Sequence, residues 1–266
     1  MKNVLVLIHD DPGQEARLQA ALDLTRATNG HLNCVHVTEF APIVGSSFEM
    51  SGAVAILDVE VEIEAKNRLQ IENRLTEENV SWDWVEVTAS MERAVERTAG
   101  LADVIVANCE LEGLFQPSLR TLVERLVVRS GKPVVAVPDS NGFHPAEPVL
   151  IAWDGSDPAA AAVRASVPLL RLSERVTLYE IDDGTTDESW NAAEYLSRHD
   201  VHAEIVSDKV PSGDLVEPVL LSKVASGQYG WAVMGAFSRS RFVEGIFGGV
   251  TKRMLKESPI PLFIAH

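Results

Sequence analysis

The chain has 266 residues, 46% hydrophobic and 23% charged, a globular balance that supplies one large core or two of about 130 residues. Asp and Glu total 39 against 23 Lys and Arg, so the formal net charge is -16 and the pI is about 4.8; a diffuse acidic surface repels phosphate backbones and excludes a general nucleic-acid binder. No apolar run reaches the ~18 residues of a membrane helix, residues 1–8 read as a strand rather than a leader, and the expected compartment is cytoplasmic.

The first strand, Val4 to Ile8, runs into His9-Asp10-Asp11-Pro12. A helix pattern follows with Leu18, Ala21, Leu22 and Thr25 at i, i+3, i+4 and i+7, closed by Asn29-Gly30. Leu32 to Val37 is the next strand, and a Gly/Ser-containing connection over Phe40 to Ile56 leads to a long helix through Leu57, Val61, Ala65 and Leu69. Ala102 to Asn108 and Gly131 to Pro138 supply later strands. His9-Asp10-Asp11 finds no second cluster of ligands at useful spacing, so it reads as a solvated strand-end turn rather than a metal site. Cys34 and Cys109 sit in or beside apolar runs and read as small buried hydrophobes, with no disulfide framework.

The pattern then begins again. VLIAWDGSDP (Val149 to Pro158) echoes VLVLIHDDP (Val4 to Pro12), and its helix carries Val163, Val167 and Leu170, with Pro168 as an expected kink. Val176 to Ile181 follows as a strand. Gly230 to Ala236 corresponds to Ala102 to Asn108, and Ser258 to His266 to Gly131 to Pro138. Asn141 to Pro148 is a short Gly/Pro linker. Duplication predicts two units, residues 1–140 and 147–266, each alternating strand and helix through five strands. That alternation predicts an α/β fold: a doubly wound parallel sheet covered by helices on both faces. A single ten-stranded domain is the alternative.

In such sheets ligands bind outside the carboxyl ends of the strands, where strand order reverses. In the second unit that edge collects Asp154-Gly155-Ser156 and Met234-Gly235. Beyond it, Gly248-Gly249 stands before a helix pattern of Val250, Met254 and Leu255. Glycine admits close backbone approach and positive φ, and a helix start adds unpaired N–H groups, so phosphate suits this place. Thr251 in the first turn offers a hydroxyl, and Arg239, Arg241, Lys252, Arg253 and Lys256 stand against Glu244 alone. Asp154 accepts hydrogen bonds from ribose hydroxyls or an adenine amine on the functional reading; on the structural one it caps the next helix. The first unit has Gly113 alone between Asn108 and Arg129, and nothing there attracts phosphate.

At these residues the chain resembles the universal stress protein family, in particular members with two such domains in tandem, and most strongly over Gly230 to His266. The resemblance implies Rossmann-like domains of the adenine nucleotide alpha hydrolase type. Nucleotide-binding members carry Gly, two residues, Gly, nine residues, Gly, then Ser or Thr. Here Gly235 and Gly248 match, Ser238 stands at the second glycine and Gly249 at the hydroxyl residue. The resemblance further implies that Asp154 meets the nucleotide, that Ile181 lies near the adenine and that Gly213 stands beside the base. It also implies that the last strands of the two halves pair antiparallel within the chain.

The leading expectation is a stress-response protein that binds ATP or another adenine nucleotide, with Mg as an accompanying ion, through its second unit. A first alternative is an interaction module whose basic loop takes an anionic protein partner. A second is a slow ATPase, with Glu244 and Ser240 as its candidates. Self-association into a homodimer stays open.

Overall fold

The computed structural model describes residues 1–38, 47–89, 91–109, 122–139, 142–182, 189–209, 216–236 and 249–266. The strand β1 (Asn3–Ile8) sets the architecture. Val4, Val6 and Ile8 face one hydrophobic layer and Leu5 and Leu7 the other, all at most 2% exposed. A strand apolar on both sides belongs in the middle of a sheet with helices on each face. Here α1 (Gln14–Thr28) covers one face, then β2 (His31–Thr38), α2 (Ser47–Glu77), β3 (Ser81–Thr88), α3 (Met91–Thr98), β4 (Val104–Asn108), α4 (Leu122–Ser130) and β5 (Val134–Val137) complete the first series. The second series is β6 (Val149–Trp153), α5 (Asp157–Leu170), β7 (Val176–Asp182), α6 (Ser189–Ser197), β8 (Ala203–Lys209), α7 (Val216–Val224), β9 (Trp231–Gly235), α8 (Gly249–Glu257) and β10 (Leu262–Ala265).

The strands form one ten-stranded sheet in the order β3-β2-β1-β4-β5-β10-β9-β6-β7-β8. All neighbours are parallel except β5 and β10, which pair antiparallel with Leu262 opposite Ala136, Phe263 opposite Val135 and Ile264 opposite Val134. Each five-strand set therefore has the same internal order, and the two meet at their last strands. Both seam strands are buried throughout. The outer strands β3 and β8 are mostly exposed or half-buried along their length, as edges should be. Among the described residues no helix is long and apolar enough to cross a membrane.

The first helix behaves as its pattern predicts. Leu18, Ala21, Leu22 and Thr25 are all at most 1% exposed, and Asn29 ends the helix in the left-handed region at φ 46°. The second long helix differs. It starts at Ser47, inside the stretch expected as connection, and Ala65 and Leu69 are exposed, Leu69 by 61%. Among its described side chains, Asn67, Ile71 and Leu75 are buried. Asn67 exchanges hydrogen bonds with Gln14 at 2.7 and 2.9 Å, so a satisfied amide is buried on a face that the stripe of Leu57, Val61, Ala65 and Leu69 does not include. The side chains of Leu57 and Val61 lie outside the described residues. In the second series the helix runs through Pro168 to Leu170. Phe143, in the stretch expected to be a plain linker, is fully buried and meets Trp231 edge-on at 5.3 Å. Cys34 and Cys109 are both buried, and burial pushes the Cys34 thiol up to about 12.

Helix α2 is tied to the sheet edge by a polar cluster. Glu64 Oε1 lies 2.8 Å from His9 Nδ1 and accepts from the Asp10 amide at 3.2 Å. Its Oε2 lies 3.2 Å from His36 Nε2, an ion-pair distance without hydrogen-bond direction. Burial alone would push Glu64 up, but His36 and His9 outweigh it and hold the carboxyl below its ordinary 4.5. The bond to Glu64 raises His9 above its ordinary 6.5, against the opposing pull of burial.

Two outcomes follow from this packing. Phe263 is fully buried at the seam, and Phe263→Ala should lower stability by about 3–5 kcal/mol, read as a reduced urea midpoint; a change below about 1 kcal/mol would mean the seam carries little packing. The Glu64 cluster predicts a stability maximum in mildly acidic solution. The depressed Glu64 contributes above pH 4.5 and loses its share as pH falls through its folded value; the raised His9 contributes fully below pH 6.5 and loses its share as pH rises through its folded value. Thermal midpoints measured against pH should show this decline on the alkaline side in the parent chain, and Glu64→Gln should flatten it.

Candidate functional site

In the second series β6 and β9 are hydrogen-bonded neighbours, with Ala152 opposite Met234, so the residues after both strands meet at one edge of the sheet. Asp154 ends β6. Its Oδ1 accepts from the Ser156 amide at 3.1 Å and from Ser156 Oγ at 2.6 Å. Gly155 between them has φ +70°, a conformation that glycine takes without steric penalty. Ser156 in turn caps α5, accepting from the Ala159 amide at 3.3 Å, and Pro158 lies in the first turn. The cap is therefore Ser156, and Asp154 braces it from one carboxylate oxygen. Oδ2 of Asp154 makes no hydrogen bond among the described residues.

Gly235 has a packing reason to be glycine. A Cβ there would stand 2.6 Å from the Pro158 carbonyl carbon and 2.9 Å from Ala159 Cα, so the end of β9 lies directly on the first turn of α5. The chain beyond it is fixed by Ala236, whose amide donates to Ala265 O at 2.8 Å and whose carbonyl meets His266 Nδ1 at 2.7 Å. Ile181 is half-buried near the carboxyl end of β7, the next strand along.

Helix α8 carries the remaining described candidates. Gly249 opens it, Val250 is half-buried and Thr251 is 4% exposed, so the threonine lies against the core. A Cβ on Gly249 would stand 2.8 Å from Glu217 Oε1, so the carboxylate of α7 faces the start of α8. Sequence reading did not mark Glu217, which stands two residues into its helix pattern among apolar neighbours. Arg253 pairs with Glu257 one turn along, while Lys252 and Lys256 are exposed. The structure thus brings Asp154, Gly155, Ser156, Ile181, Met234 and Gly235 to one edge. Gly213, Ser238, Arg239, Arg241 and Gly248 lie outside the described residues, as do Ser240 and Glu244.

The same edge of the first series is built differently. Arg17 of α1 is 1% exposed and reaches the gap between the ends of β1 and β4. Nε donates to Leu7 O at 2.6 Å, Nη2 to Asp11 Oδ2 at 2.8 Å and to His9 O at 3.3 Å, and Nη1 to Asp11 Oδ1 at 3.3 Å and to Asn108 Oδ1. Asn108 Nδ2 donates onward to Gly13 O at 3.0 Å and Asp139 Oδ1 at 3.1 Å. Sequence reading missed this network. Its signal was present: Arg17 precedes Leu18 and shares a helix stripe with Ala21 and Leu24, all fully buried.

No family model matches the sequence, and no curated protein matches it. The structure, by contrast, matches solved structures along its whole length. It resembles a universal stress protein from Archaeoglobus fulgidus DSM 4304 with a TM-score of 0.76 at 12% identity, covering 99% of this chain and 97% of that one. It resembles a functionally unknown protein from Pseudomonas aeruginosa PAO1 with a TM-score of 0.60 at 13% identity, covering 99% and 92%. Identities this low carry the backbone and not the site. Two findings, a mostly parallel sheet with a switch point in each strand series and a full-length structural likeness, agree: the chain has the Rossmann-like α/β fold of a universal stress protein.

Proposed function

We propose that the chain is a stress-response protein of the universal stress type, built as two tandem units, and that its second unit holds an adenine nucleotide, ATP included, between the end of β6 and the start of α8. The observation that carries this reading is the joint placement of Asp154 and Gly235 on neighbouring strands. Asp154 keeps one carboxylate oxygen for ribose hydroxyls or an exocyclic amine, while Gly235 lets the strand end pack on the first turn of α5, whose cap Asp154 braces. Unpaired N–H groups at the start of α8 favour the phosphates, which the basic residues of the Ser238 to Lys256 stretch complement. Glu217 stands where those phosphates would approach, so a Mg ion between the two sets of oxygens would offset their repulsion. The task is binding, with no residue here given a chemical step.

Glu217 is also the observation that favours a second reading. A carboxylate already facing the helix start satisfies part of its partial positive charge, as a module that takes no nucleotide would require.

Thermal shift measurements with ATP, ADP and AMP separate the two. Bound nucleotide at 100 times its Kd stabilises the fold by about 2.7 kcal/mol; Asp154→Ala should raise the Kd about tenfold, the worth of one charge-assisted hydrogen bond, and at the same concentration cut that gain to about 1.4 kcal/mol. A thermal midpoint unmoved by all three nucleotides at millimolar concentration would defeat the nucleotide reading and favour the module. Mass spectrometry of small molecules released on denaturation is expected to find an adenine nucleotide.

A further inference from the structure

The two strand series correspond residue by residue through their pairing. Val4 lies opposite Val104 as Val149 lies opposite Trp231, so Asn108 and Gly235 end equivalent strands. Counting equally from Val4 and Val149, Asp11 corresponds to Ser156 and Arg17 to Ala162. The place that is small and uncharged in the second series is therefore filled by a charge network in the first.

That network is complete. A guanidinium has five N–H groups, and Arg17 directs them to two backbone carbonyls, both oxygens of Asp11 and the amide oxygen of Asn108. None is left for an anion. Asn108 spends both of its own N–H groups on Gly13 O and Asp139. Gly13 is glycine because this network sits against it: a Cβ there would stand 2.7 Å from Asn108 Cγ and 2.8 Å from Asp139 Oδ1. In the second series the same close approach is made the other way round, with the glycine at 235 on the strand and Pro158 on the helix. Among the described residues, the groups that meet Arg17 are all acceptors, two carbonyls, a carboxylate and an amide oxygen, which is the complement of a cation.

We propose that the crevice of the first unit is a guanidinium socket filled by the chain's own Arg17, which closes it to phosphate and pins α1, β1 and β4 together. Its chemistry is opposite to that of an anion cradle. The proposal concerns the first crevice alone and does not depend on the second unit taking a nucleotide.

The test is Arg17→Ala in the full chain, with ethylguanidinium as the probe. Removing the guanidinium leaves Asp11 buried without its partner, and the thermal midpoint should fall by roughly 10 °C. Millimolar ethylguanidinium should restore most of that loss, while ethylammonium and sodium chloride at matched ionic strength should not. Absence of rescue, or equal rescue by both cations, overturns the socket. If the variant fails to fold, the parent chain decides by nitrogen-15 NMR of the Arg17 Nε–H. This proton should exchange slowly and keep its chemical shift as inorganic phosphate is titrated to millimolar concentration. A saturable shift with phosphate would show the guanidinium open to anions and would overturn the proposal. Loss of nucleotide protection in the second unit, with rescue intact, would count against the nucleotide reading alone.

Discussion

Two five-strand sheets with the same strand order become one because β5 and β10 pair antiparallel, each strand only four residues long and buried along its whole length. Short strands of Val-Val-Ala-Val and Leu-Phe-Ile-Ala would be aggregation-prone edges if either half stood alone. Pairing them removes two open ladders and leaves the mostly exposed β3 and β8 as the outer edges. The two hydrophobic layers then run continuously across the seam, with Val135 and Phe263 in one and Val134 and Ile264 in the other. Phe143 reinforces the join, because the connection between the halves inserts its ring beside Trp231.

The shared strand order also repeats one feature in each set. Each set has its own switch point, between β1 and β4 and between β6 and β9. Backbone geometry makes these places equivalent, and side chains make them different. In the first, Arg17, Asp11 and Asn108 form a closed set of charge-assisted hydrogen bonds at almost no exposure. In the second, Ala162 and Gly235 replace the charged and polar members, and Asp154 braces the Ser156 cap while facing solvent. A buried, saturated guanidinium holds elements together, whereas the carboxylate of Asp154 stays exposed to solvent.

Much of the architecture was legible in the sequence. The strand at Val4 to Ile8 alternates apolar side chains on both faces, and the helix stripe of Leu18, Ala21, Leu22 and Thr25 is buried as its spacing requires. Reading failed where a polar side chain occupied the inner face. Asn67 hides the stripe of α2, and Arg17 hides among alanines and leucines of α1. Both are buried because a partner far along the chain satisfies them, Gln14 in one case and Asn108 in the other. Periodicity weighs residues one at a time and cannot supply such partners.

The candidate site shows the same division. Sequence alone determined the strand–helix alternation, the internal echo of Val4 to Pro12 at Val149 to Pro158, and which residues gather after the strands, since chain order and parallel pairing place them there. Tertiary structure alone decided that Ser156 rather than Asp154 caps α5, that Gly235 is needed for contact with that helix, and that Glu217 faces Gly249. The cap is a local choice of hydrogen bonds among Asp154, Ser156 and Ala159, but the other two are contacts between segments distant in the chain, and their distances are set by how helices settle on the sheet. Local pattern specifies which face an element buries; only packing specifies what that face meets.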